Sequence, residues 1–397
     1  MSGDILLTFN PGSSTIKLGL FAIEANKPRR IGGGIIDLRR RPLTLCVVEG
    51  LAATDIPLKA AMTEDLHEVI DETLGWLKSH FSASRLACVG HRVVHGGDRF
   101  AGPEMASDNM LDAIEDLVPL APLHQPQSIR LIRAIRHLHP GLPQVASFDT
   151  AFHRSQSDLM RRFALPRALF DQGVKRYGFH GLSYTFVARQ LQRIAPDVAG
   201  GRVVAAHLGS GASLCALEAG VSRNTSMGFS TLDGIPMATR CGTLDPGVLI
   251  HLVKERGLSI KSIEDMLYHR SGLLGISGIS ADSRELIASD APEAREALDF
   301  FTSRIAGEIA ALATTLGGLD GIVFTGGIGE HQPQIRNAVC RRLAWLGVAV
   351  DDGANSENAT RIDRPGGKIA VLVIPSDEEQ VIADETCSIL AARKIIG

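Results

Sequence analysis

Apolar positions recur along the chain with two periods, and their alternation predicts α/β domains. Over residues 64–81, Leu66, Val69, Ile70, Leu74 and Leu77 fall at helical spacing and form one stripe for a core. From Pro292 to Leu316 a longer helix opens with proline in its first turn, buries Phe301, Ile305, Ile309, Leu312 and Leu316, and stops at Gly317 and Gly318. The strand GIVFT then runs into GGIGE, which puts backbone N–H groups at the carboxyl end of a strand, where α/β sheets bind ligands. KIAVLVIPSDEEQVIADE reads as a buried strand, a proline break and a helix, with Ser376 and Glu379 as its capping box and Glu378 in its first turn.

Two stretches repeat one plan. ILLTFNPGSSTIKLGLF and VVAAHLGSGASLCALEA each read as apolar strand, glycine-serine turn and second apolar strand. Setting Asn10 against His207 brings Gly12 to Gly209, Ser13 to Ser210 and Leu20 to Leu217. A single such loop is an ordinary hairpin turn. Two of them, each opening one half of the chain, predict duplicated domains whose hairpin tips approach a phosphate in a cleft. The length of 397 residues agrees, being more than one core usually supports.

Composition narrows the partners. The formal net charge of −3, with acids and bases intermixed, provides no field for a nucleic-acid backbone, so a small ligand is expected. The six cysteines stand singly with no CxxC pair, which predicts neither zinc nor disulfides. The start, MSGDILLTFN, lacks the features of a signal peptide, and no segment reaches membrane-spanning length, so a cytoplasmic location is expected.

Transfer of a γ-phosphoryl group needs charge neutralisation, Mg²⁺ and in-line placement of the nucleophile. Lys17 follows the first turn and could meet phosphate oxygens, or be a solvated strand lysine. In ACVGHRVVHGG, Arg92 interrupts an apolar strand beside His91 and His95, and its guanidinium needs an anion, either a substrate carboxylate or phosphate or a structural ion pair. Asp149 ends the strand PQVASF and either caps the next element or orients an arginine or a metal-bound water. A carboxylate acceptor is already ionised at neutral pH and needs no general base. His180 lies in RYGFHGLSY; Arg240, in MATRCGTLDPG, either clamps a phosphoryl group or pairs with Asp245. Glu378 is either an acid favoured by the helix dipole or a metal ligand.

In this order, FNPGSSTIK, GHRVVHGG, APLH, FDTAFH, RYGFHG, HLGSGAS, SMGF, TRCG, DPG, SADSRE, FTGGIGE and IPSDEE resemble the acetate kinase family from Asn10 to the final helix. That family belongs with actin, sugar kinases and heat-shock-chaperone ATPases. The resemblance implies two actin/ribonuclease-H-like α/β domains with a nucleotide-binding interdomain cleft. The first would cover residues 1–150, joined by the C-terminal helix at about 379–397, and the nucleotide-binding second 151–378. It implies reversible, Mg²⁺-dependent transfer between ATP and acetate, giving acetyl phosphate and ADP, in a homodimer. Arg92 and Arg240 are then clamps, His180 a transition-state stabiliser, Asp149 a catalytic acid, and Asn10 and Glu378 the metal site. The nucleotide would meet Lys17, His207, Leu208, Gly209, Ser210, Gly211, Asp282, Ser283, Arg284, Gly327, Ile328, Gly329, Glu330 and His331. Val94, Leu123, Phe179 and Thr231 would line the acyl pocket.

The chain departs from the family pattern at Ser210, where asparagine is usual, and at Tyr184, Gln125 and His331, which look peripheral to the chemistry. Thr231 replaces a proline of the acyl pocket, which leaves propionate or another short acid as an alternative. From a different class, an actin- or chaperone-like ATPase would respond to a protein partner, and a sugar kinase would use an aspartate to deprotonate a hydroxyl.

Overall fold

The computed structural model describes residues 3–12, 15–50, 52–60, 66–81 and 85–396. Ser13, Ser14 and Glu64, which the repeat and the first helical stripe include, lie outside them. The chain divides into two compact units, residues 1–152 with 377–397, and residues 153–376.

The first unit is built on β1 (Asp4–Pro11), β2 (Thr15–Glu24), β3 (Lys27–Asp37), β4 (Thr44–Glu49), β5 (Ala52–Pro57), β6 (Arg85–Val93), β7 (Glu104–Met105) and β8 (Gln144–Phe148). Their order across the sheet is β5-β4-β3-β2-β1-β6-β8-β7. Strand side chains alternate between faces, so β1 serves two cores. Leu7 and Phe9 pack with Val69, Ile70, Leu74 and Leu77 of the helix His67–His80 and with Leu131 and Ile135 of the helix Gln125–Leu138. Leu6 points the other way, joining Phe21, Cys88 and Val145 against Ala383, Cys387 and Leu390 of the C-terminal helix Glu378–Ala392. That helix presses so closely on β6 that a Cβ at Gly90 would stand 2.5 Å from Thr386 Oγ1 and 2.6 Å from Ile382 Cγ2. Glycine here is a packing requirement.

The second unit has β9 (Arg202–Leu208), β10 (Ala212–Glu218), β11 (Val221–Thr225), β12 (Gly321–Thr325) and β13 (Ala370–Val373), ordered β11-β10-β9-β12-β13. β9 is antiparallel to β10 and parallel to β12, as β1 is antiparallel to β2 and parallel to β6. β10 then meets β11, and β12 meets β13, in the same senses as β2 meets β3 and β6 meets β8. The two units therefore repeat one five-stranded plan, the actin/ribonuclease-H-like one expected from the resemblance. The repeated turns coincide too: β1 ends at Pro11 and β9 at Leu208, and the returning strands begin at Thr15 and Ala212.

The helix Pro292–Leu316 keeps its expected bounds and buries Phe301, Ile305, Ile309 and Leu312. Leu316 is only half-buried, because the chain leaves the core at Gly317, whose φ of 69° closes the helix. The expected capping box does not form. Asp377 accepts from Gln380 N at 3.0 Å and caps the C-terminal helix, while Ser376 N donates to Glu330 Oε1 at 3.0 Å. No helix among the described residues is long and apolar enough to cross a membrane.

Candidate active site

In the first unit, three neighbouring parallel strands deliver their carboxyl ends to one place. β1 and β8 flank β6 in parallel register, with Phe9 opposite His91 and Ser147 opposite Arg92. Asn10, Arg92 and Asp149 are thus neighbours although far apart in sequence. Asp149, fully buried, takes Arg92 Nε at 3.2 and 3.1 Å and Nη2 at 2.6 Å. Arg92 Nη1 donates to Pro11 O at 3.0 Å and Asn10 Oδ1 at 3.3 Å. The structural ion pair, one of the two readings open for Arg92, is therefore present. These bonds leave one Nη2 hydrogen for a further anion. Burial opposes the guanidinium charge, but Asp149, with Glu378 and Glu379, outweighs it and raises the pKa above its ordinary value.

Asn10 Nδ2 donates to Glu378 Oε2 at 2.8 Å and to Glu379 Oε1 at 2.9 Å. Two carboxylates converging on one amide form an all-oxygen, negative donor set that suits a hard cation such as Mg²⁺, which takes one or two protein carboxylates and fills its octahedron with water and phosphate oxygens. No group of three His, Cys, Asp or Glu side chains among the described residues is arranged to hold a metal. Glu379, expected as a capping residue, is a member of this cluster. Lys17 stands opposite Asn10 in the β1–β2 register, exposed at a cavity that Arg30 and Glu379 also line. Val94 is buried and Leu123 is 43% exposed. Gln125 is a structural clamp: its amide nitrogen donates to His95 O and Ile114 O, and its oxygen accepts from His95 N.

In the second unit, β9 and β12 run parallel, with Thr325 opposite His207. The turn of Gly209, Ser210 and Gly211 follows β9, and the helix Gly326–His331 follows β12, where a turn was expected. Gly326, with φ of 77°, passes so near Leu208 that a Cβ would stand 2.7 Å from its carbonyl oxygen. Glu330 Oε1 accepts from Gly326 N at 2.8 Å, and Arg336 Nη1 holds the carbonyls of Gly329 and Glu330 at 2.8 and 3.0 Å. Gln332 donates to Ser283 Oγ at 2.8 Å, which ties the stretch Asp282, Ser283 and Arg284 to the segment carrying Gly327, Ile328 and His331. Asp282 itself caps a short helix through Arg284 N.

His180, with φ of 57°, precedes the helix Gly181–Ile194. Its ring stacks on His207 with centroids 4.4 Å apart. Its Nδ1 lies 2.9 Å from Ser213 Oγ, and His207 Nδ1 lies 2.8 Å from Ser183 Oγ. Neither serine is legible as a site residue until the helix and hairpin are seen together. The hydroxyl of Tyr184, which looked peripheral in the sequence, lies 2.6 Å from the same Ser213 Oγ. Arg240 Nη1 donates to Thr231 O at 2.9 Å, and Asp245 caps a helix through Gly247 N. A methyl on Gly211 would stand 3.1 Å from Arg240 Nη2 and 3.5 Å from His180 Nε2, so both side chains face the glycine turn. Phe179 is buried, and its carbonyl meets His153 Nε2 at 2.9 Å.

The model of the acetokinase family matches residues 5–384. An acetate kinase of Rhodopseudomonas palustris is 47% identical over 387 residues, covering 96% of this chain and 97% of that protein. One from Methylocella silvestris is 44% identical over 394 residues, 97% and 98% of the two chains. Among solved structures, a propionate kinase from Francisella tularensis is 34% identical with a TM-score of 0.88, covering 97% of this chain and 99% of that one. Porphyromonas gingivalis acetate kinase is 32% identical with a TM-score of 0.86, covering 98% and 100%.

Proposed function

The chain belongs to the acetokinase family, and from that premise we propose that it transfers the γ-phosphoryl group of ATP to acetate, reversibly, giving acetyl phosphate and ADP. The observation that carries the reading is the gathering of Asn10, Arg92 and Asp149 at adjoining strand ends with Glu378 at the start of the C-terminal helix, in a chain similar to acetate kinases over nearly its whole length. An acetate oxygen forms the new bond to the γ-phosphorus as the bond to the β,γ-bridging oxygen breaks. The electron pair leaves with ADP, and no proton need move.

Arg92 is assigned to the carboxylate, using the hydrogen left free by its protein partners, and Arg240 to the transferring phosphoryl group. Asp149 is assigned to aiming Arg92. A buried carboxylate already engaged by a guanidinium is poorly placed to give or take a proton. His180 is assigned to the equatorial oxygens, and the stretches Gly209–Gly211, Asp282–Arg284 and Gly327–His331, with Lys17, to the nucleotide. Asn10 and Glu378, with Glu379, would hold Mg²⁺, which when bound neutralises phosphate charge.

The deciding assay traps acyl phosphate with hydroxylamine in the presence of ATP, Mg²⁺ and acetate. Hydroxamate formation is expected, and none from any short acid would end the reading. A second acid is favoured by one observation, the similarity to a propionate kinase, taken with the assignment of Thr231 to the acyl pocket. One methylene in an apolar pocket separates substrates by only about 1–3 kcal/mol. Comparing kcat/KM for acetate, propionate and butyrate decides between them. A cytoplasmic homodimer completes the proposal, and light scattering tests the dimer.

A further inference from the structure

A buried run of hydroxyls ends on His180. Tyr184 lies in the first turns of the helix that His180 precedes, and its side chain is fully buried. Its hydroxyl is 2.6 Å from Ser213 Oγ, which is 2.9 Å from His180 Nδ1. Ser213 is placed there by the β9–β10 hairpin, where it stands opposite His207.

The direction of these bonds follows from acidity. A phenol is a far stronger hydrogen-bond acid than an aliphatic alcohol, and the serine oxygen is the better acceptor. The short bond therefore runs from the Tyr184 hydroxyl to Ser213 Oγ. Serine has one proton, which then points at His180 Nδ1. That nitrogen becomes the acceptor, and a neutral imidazole so engaged carries its hydrogen on Nε2. Burial pushes the Tyr184 phenol well above its ordinary pKa and keeps the donor protonated. The Nε2 edge is the one that faces Gly211 beside Arg240.

We propose that Tyr184 is a positioning residue which, through Ser213, holds His180 as the Nε2–H tautomer, a neutral donor aimed at the turn Gly209–Gly211. What the donor meets there, a transferring phosphoryl oxygen, rests on the function proposed above. The tautomer itself does not. Without the phenol, Ser213 is free to rotate and accept from Nδ1–H, and the imidazole loses its fixed donor edge.

The test is nitrogen-15 NMR of the full chain labelled at histidine, with the His180 signals assigned from His180→Gln. Substrate-free wild type is expected to show His180 as Nε2–H, and Tyr184→Phe and Ser213→Ala each to shift it towards a mixture of tautomers. Their kcat should fall about three- to tenfold with KM for ATP and acetate within about twofold, as for a weakened transition-state donor. A wild-type Nδ1–H signature overturns the proposal, as does an unchanged tautomer in both variants. Should Tyr184→Phe not fold, Ser213→Ala cuts the same relay with the aromatic ring intact. The spectra need no substrate, so they judge the relay whether or not hydroxamate forms.

Discussion

Arg92 joins a strand, two neighbouring strand ends and a buried carboxylate, so its replacements separate aim from charge. Lysine keeps the charge but cannot bridge Asp149, Asn10 and Pro11 at once. For Arg92→Lys we expect kcat/KM for acetate to fall at least about 100-fold. Arg92→Ala takes the guanidinium away from the buried Asp149 carboxylate and should also cost about 3–5 kcal/mol in urea unfolding; a fully active Arg92→Lys, or an Arg92→Ala as stable as wild type, would refute these roles. Gly211→Ala should lower kcat about tenfold without loss of fold, since its methyl crowds the end of the Arg240 side chain at 3.1 Å and touches His180 Nε2 at 3.5 Å. Arg92 was legible in the sequence because a guanidinium in an apolar strand demands an anion. That the anion was Asp149 was not, because the pair exists only once β6 and β8 lie side by side. The contact of Tyr184 was not legible for the same reason: its partner Ser213 lies on another element.

The C-terminal helix illustrates how elements depend on close approach. It brings Glu378 and Glu379 to Asn10 while lying against Gly90 of β6. Gly90→Ala should therefore destabilise the protein by about 1–3 kcal/mol through overpacking. Because the helix carries the two carboxylates, the Mg²⁺ concentration giving half-maximal rate should rise in the same variant; an unchanged Mg²⁺ dependence would separate helix position from metal binding. The helices themselves were readable from their apolar stripes, and Pro292–Leu316 is bounded by its proline and glycine. The cap of the last helix was not, since SDEE offers competing side chains. Tertiary contacts decide: Glu330 takes the Ser376 N–H, Asn10 takes Glu379, and Asp377 is left to reach Gln380.

At the scale of the whole molecule, three buried histidines link stability to pH. Burial pulls His91, His95 and His153 from the ordinary 6.5 down to about 4. Below pH 6.5 the unfolded chain takes up protons that the native state refuses, so their contribution is complete above 6.5 and lost progressively as pH falls to about 4. Each should cost about 2 kcal/mol by pH 5, and calorimetry should show Tm falling from pH 6.5 downwards; a flat Tm to pH 5 would contradict the burial of neutral rings. The duplicated plan was visible in the paired hairpins, because both periods and turn residues repeat. Strand order was not, since pairing β6 with β1 and β12 with β9 joins segments far apart in sequence. The return of the last helix to the first unit carries a consequence for biogenesis. A ribosome completes all of residues 153–376 before it makes residues 377–397. The first unit begun is thus finished only after the second has been made, and a nascent chain acquires both carboxylates beside Asn10 only once residues 153–376 have left the ribosome's active centre.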